Sequence, residues 1–187
     1  MSKKIGIIAE DNSDYDVIKV LIGKIIPENS FRTKKFIGKG CGKLFRNCEA
    51  WTDNLFRAGC DHVLVFHDLD RNNETDLRRK LESKVSKWSN QSLIVIPIEE
   101  LEAWLLSDMQ AVKKALNLSK KPNKIYHCER VESPKEHLES IVKRLGKRYV
   151  NNIHNVGIAK EQDLSSLRRC NSFLPFENYV KNNIHVV

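Results

Sequence analysis

The sequence predicts an α/β domain: a mostly parallel four-stranded sheet with helices on both faces, followed by a C-terminal helical extension. Two observations predict it. Four short runs rich in β-branched and aliphatic residues alternate with segments whose apolar residues recur at helical spacing, and such alternation builds parallel sheets covered on both faces. The third run, HVLVFH at 62–67, is nearly continuous in apolar residues, as a strand buried on both sides should be.

The elements follow in order. KIGIIA at 4–9 is the first strand. Ser13 reads as the N-cap of the next helix, with Asp16 closing a capping box. Val17, Ile18, Leu21, Ile22 and Ile25 form that helix's apolar stripe, and Pro27 ends it. Residues 31–37 are the second strand. A glycine-punctuated basic loop at 38–43 opens a helix that ends near Gly59. Beyond the third strand, a charged helix spans 76–88, and 93–98 is the fourth strand. A helix at 99–107 carries Leu101, Trp104 and Leu105 on one face. Further helices are expected at 109–116, 135–145, 162–169 and 174–181, with an irregular stretch around Pro122. The organisation is a core at 1–110 and a helical extension at 111–187 packed on the same domain.

Bulk composition narrows the classes. A chain of 187 residues can bury a core without disulfides. Its five cysteines include no C-x-x-C pair, so free thiols are expected rather than a zinc site or a disulfide framework. No apolar run reaches the ~18 residues of a membrane helix, and the first residues lack a signal-peptide pattern. The expectation is a cytoplasmic protein with no membrane partner. Net charge is +8, a balance that favours polyanions, with nucleic acid first among them.

Right-handed crossovers put the C-terminal ends of parallel strands on one edge, where ligands of open sheets bind. Three acidic groups follow strands there: Glu10, Asp68 with Asp70, and Glu99 with Glu102. In an extended segment Asp68 and Asp70 share a face. Paired carboxylates repel unless a cation neutralises them, and hard oxygen donors suit Mg²⁺ or Mn²⁺. Glu99 and Glu102, three apart, are expected on one helical face. They are read either as ligands of a second metal or as first-turn acids that complement the helix dipole. His67 reads as a packed or solvent-edge histidine. The loop at 38–43 lacks the spacing of a P-loop and reads as a flexible basic loop. Arg168 and Arg169 read as helix C-terminal charges, and Trp104, Phe173 and Phe176 as core.

The run IIAE ending the first strand and VFHDLDRN around the third resemble the Toprim catalytic domain of topoisomerases, primases and OLD-type nucleases. IPIEELEAWLLSD at 96–108, SPKEHL at 133–138 and DLSSLRRCNSFLPFENYV at 163–180 resemble a family of small stand-alone Toprim-like proteins, of the DUF4276 type, catalogued as a domain of unknown function. The resemblance implies a Toprim-like fold, with Glu10 in acid/base or metal chemistry, Asp68 and Asp70 on Mg²⁺ and Lys135 near the site. It implies anti-phage defence as the setting, beside a separate ATPase subunit. The resemblance implies that relatives usually carry Gly directly after the first Glu, where this chain has Asp11. The expected function is a metal-dependent nuclease acting on DNA or RNA. The alternative is a non-catalytic module that binds metal and nucleic acid or docks on an ATPase.

Overall fold

β1 (Lys3–Ala9) is central because its residues are apolar on both sides. Ile5, Ile7 and Ala9 join the core on one face of the sheet, and Ile8 joins the core on the other. β2 (Phe31–Ile37), β3 (His62–Phe66) and β4 (Ser92–Val95) complete an all-parallel sheet of order β2-β1-β3-β4. The computed structural model describes residues 2–184; Met1 and residues 185–187 lie outside the described residues.

Helices cover both faces. α1 (Asn12–Ile25), α4 (Glu102–Leu105), α5 (Met109–Ala115), α6 (Pro134–Arg144), α7 (Asn151–Glu161), α8 (Leu164–Leu167) and α9 (Phe173–Tyr179) contribute to the core on one face. α2 (Cys41–Arg57) and α3 (Glu74–Val85) cover the other. Gly6 lets α2 approach the sheet: a Cβ there would come within 2.8 Å of Leu55 Cδ1. The larger core draws on residues before and after position 110. Trp104, Phe173 and Phe176 lie fully buried beneath Phe66, with ring centroids 5.2 Å apart for Trp104–Phe173 and 5.3 Å for Phe66–Phe176. Offset and edge-on contacts of this kind suit the ring quadrupoles. All five cysteines are free, and only Cys41 is not fully buried. Among the described residues no helix is long and apolar enough to cross a membrane.

Several boundaries differ from the sequence expectation. Asp11, not Ser13, caps α1: its side chain accepts the Asp14 N–H while the Asp14 carboxylate accepts the Asp11 N–H. Ser13 is turned inward instead. α1 stops at Ile25 because Ile26, which precedes Pro27, is extended at φ −132°, as residues before proline prefer. β4 ends at Val95, since Pro97 has no N–H to continue the ladder. The helix expected from residue 99 begins only at Glu102, because Glu99 sits at φ +61° in the connecting loop. Expected helix 162–169 shrinks to α8. α7 was not foreseen: NNIHNVGIAKE has asparagines, a glycine and no clear apolar stripe, yet it packs between α1 and α5. Tertiary packing here overrides weak propensity.

Candidate functional site

The register of the sheet fixes the site. β1 and β3 are parallel neighbours, with Ile5 opposite His62, so Glu10 and Asp68 leave their strands at the same edge. Past Asp68 the chain does not stay extended. Leu69 and Asp70 donate their N–H groups to the carbonyls of Pro97 and Glu99, and Asp70 turns to φ +47°. The expected same-face alternation of Asp68 and Asp70 is therefore broken. Asp68 is half-buried and Asp70 is exposed.

Asp70 meets Glu10 through an unforeseen residue. The Cys41 thiol, on the first residue of α2, donates to Glu10 Oε2 at 2.7 Å and is 3.0 Å from Asp70 Oδ2. One ligand atom from each of the three lies within 4.8 Å of the others. Burial, then the two carboxylates, hold this thiol protonated far above its ordinary range. It is thus a hydrogen-bond donor in the site rather than a thiolate. The sequence predicts only a free thiol here, and its one signal is its place within the glycine-punctuated loop at 38–43.

Behind this trio stands a second set. Burial raises the Asp68 carboxyl well above its ordinary value, and the charges of Asp14, Glu102, Glu10 and Asp70 add to the effect. Asp14 is raised in the same way by burial, then by Asp11 and Glu102. Glu102 is 5% exposed, and burial raises it too, against the opposing hydrogen bond from Asn155. Asp14, in the first turn of α1 and four residues beyond Glu10, is not singled out by the sequence because a first-turn acid is ordinary on any helix. Asn155 Nδ2 donates to Glu102 Oε1 at 3.0 Å and to Ser13 Oγ at 3.1 Å, while Tyr149 donates to its carbonyl oxygen. That bracket comes from α7, so nothing in the sequence announced it.

Glu99 parts company with Glu102. It lies on the loop, its carboxylate 3.9 Å from the exposed Arg71 guanidinium, and does not share a helical face with Glu102. Glu100 takes the inward role, accepting the Lys135 N–H at 2.9 Å. The Lys135 charge is close enough to pull the Glu102 value down. His67 is buried, with Nδ1 donating to the Asp68 carbonyl at 2.7 Å. Asp11 stands at φ −137°, ordinary extended backbone, so the turn after Glu10 needs no glycine.

The donor set fits a hard divalent cation. Five carboxylates crowd one edge, three of them held above their ordinary range by burial and by one another, and a cation relieves that repulsion. Glu10 and Asp70, whose oxygens lie together beside Cys41, would hold an ion, with Asp68, Asp14 and Glu102 in the set behind them.

These features define an α/β protein with an acidic, cation-ready sheet edge. A family model described as Domain of unknown function (DUF4276) matches residues 9–181, and the chain belongs to that family. Searches of curated proteins and of solved structures returned no match.

A pH and metal prediction follows from the crowded acids. Their folded values lie above the ordinary 3.8 and 4.5, so the folded state binds protons that the unfolded chain releases. That stabilising contribution is complete below about pH 4 and is lost as pH rises through the folded values. His62, pushed down by burial, acts in the opposite sense. The readout is therefore the difference between melting curves in EDTA and in Mg²⁺. Mg²⁺ should raise the melting temperature more at about pH 8 than at about pH 5, where protons already neutralise the acids. An equal shift at both pH values contradicts this.

Proposed function

We propose that this chain is a metal-dependent nuclease that hydrolyses phosphodiester bonds in DNA or RNA. The observation that carries the reading is the convergence of Glu10 and Asp70 at the strand edge, backed by half-buried Asp14 and Asp68 and buried Glu102. Bound there, Mg²⁺ or Mn²⁺ would polarise the scissile phosphate and acidify an attacking water. Glu10, whose Oε2 already accepts a donor, serves as general base. α2 starts beside Glu10 with no side-chain cap, leaving backbone N–H groups for a phosphate oxygen. Lys135 adds positive charge from the side of Glu102, and exposed Lys39 and Lys43 flank the opening.

The Glu after β1, the D-x-D after β3 and the all-parallel sheet are in keeping with a Toprim-like fold related to OLD-type nucleases. An anti-phage setting and a separate ATPase subunit belong to the same proposal and rest on that likeness alone, while a cytoplasmic location rests on the sequence pattern of the first residues and the short apolar runs. The test is a cleavage screen of the purified chain on single- and double-stranded DNA and RNA with Mg²⁺, Mn²⁺ or EDTA. Metal-dependent cutting supports the reading. Metal binding without cutting of any substrate would leave the non-catalytic module in its place.

A further inference from the structure

The connection between α5 and α6, residues 116–133, has no regular structure beyond a single turn at Cys128–Arg130. Connections of that length are uncommon in compact domains unless they have a use. This one is pinned down. Leu118, Pro122 and Cys128 are buried, and the Cys128 sulfur lies 2.9 Å from that of Cys170. Glu129 accepts the N–H groups of Asn171 and Ser172. Between these anchors Lys120, Lys121, Lys124 and Tyr126 are left exposed.

Together with α6 this strap forms a groove. Lys120, Lys121 and Lys124 line one side, and His137, Ile141 and Arg144 the other, with no carboxylate in its lining. His137, Ile141 and Arg144 recur at helical spacing, so one stripe of α6 faces the groove. The groove adjoins a second hollow through Lys121 and Lys124, where Arg169, Ser165 and Ser166 add further donors. The acid there, Asp108, is already satisfied by the N–H groups of Gln110, Ala111 and Asp163. Tyr126 is 69% exposed, and Lys124 Nζ lies 4.8 Å from its ring centroid.

We propose that this groove is a track for single-stranded nucleic acid leading toward the acidic edge. The lysines and Arg144 follow the phosphates, and Tyr126 offers a face on which an unpaired base stacks. A duplex keeps its bases inside and gains nothing from that ring. The α6 wall starts at Lys135, whose N–H is bound by Glu100 beside the site. Arg144 lies nine residues on, about 14 Å along the helix. The direction of the strand toward the acidic edge rests on the nuclease reading; binding in the groove does not.

The experiment measures anisotropy of a fluorescein-labelled 12-nucleotide DNA, single-stranded or as a duplex, with the full chain in EDTA. The wild-type protein should prefer the single strand. The triple variant Lys120→Gln, Lys121→Gln, Lys124→Gln should bind weakly and reduce the slope of log affinity against log salt by about two, since each single-strand phosphate contact contributes about 0.7. Tyr126→Ala should weaken single-strand binding roughly fivefold or more while leaving duplex binding unchanged. Unaltered binding by these variants, or a preference for duplex, overturns the track. Hydrolysis of bis(p-nitrophenyl) phosphate by the wild-type protein in Mn²⁺ is followed in parallel. Its absence beside normal groove binding removes the nuclease reading and leaves the groove standing.

Discussion

Replacing Asp68 and Asp70 together by asparagine should lower metal-dependent cleavage by roughly a thousandfold while the protein stays folded. The size follows from the several kcal/mol that a well-placed cation contributes to a phosphoryl transition state, at about 1.4 kcal/mol per tenfold. Asparagine nearly matches aspartate in shape, so packing around the half-buried Asp68 is kept. The structure adds a second, opposite effect. Asp68 is held in a field of like charge from Asp14, Glu102 and Glu10, so removing its charge should raise the metal-free melting temperature at about pH 8. Lost cleavage with a fold no weaker than the parent is the signature of a cation site. Lost cleavage with a collapsed melting temperature would instead mark these residues as structural.

The second large effect concerns Glu102. Glu102→Gln keeps an oxygen to accept the Asn155 amide, which now donates to Glu102 Oε1. Cleavage should nonetheless fall by about a hundredfold if this carboxylate serves a second ion, which stabilises the leaving oxygen in two-metal phosphoryl transfer. Because Glu102 is buried and its charge acts on Asp68 and Asp14, the rival reading is no longer a surface acid that complements a helix dipole. It is a buried carboxyl held for structure. On that reading the variant loses stability through its hydrogen bonds, by roughly 1 kcal/mol, and cuts normally. Rates and melting curves of the one variant separate the two.

The sequence reveals the scaffold more readily than the site. β1 and β3 were readable nearly to the residue, because continuous apolar runs bounded by turns leave few alternatives, while β2, FRTKKFI, was readable to the residue without such a run. The same logic failed at β4, where IVIPI continues the apolar pattern past the point at which Pro97 stops the ladder. Placing Glu99 and Glu102 on one helix inherited that error. Glu10, Asp68 and Asp70 could be singled out because acids directly after buried strands are conspicuous. Asp14, Cys41 and Asn155 were not, since each looks ordinary locally and gains its role only from a partner far along the chain. Much of the family-like C-terminal run is architectural. In it Asp163 caps α8, and Arg168 makes a bidentate pair with buried Glu177. Phe173 and Phe176 close over Trp104. Specific motifs there report how α9 is held beneath the sheet rather than what the edge does.

The most direct measurement is Mn²⁺ binding, followed by electron paramagnetic resonance as free ion is removed from solution. The wild-type chain should sequester Mn²⁺, Mg²⁺ should compete for it, and the Asp68→Asn, Asp70→Asn double variant should leave the ion free. A wild-type chain that leaves Mn²⁺ in solution, or a double variant that binds it as tightly as the parent, would contradict a cation centre built on Glu10, Asp68 and Asp70.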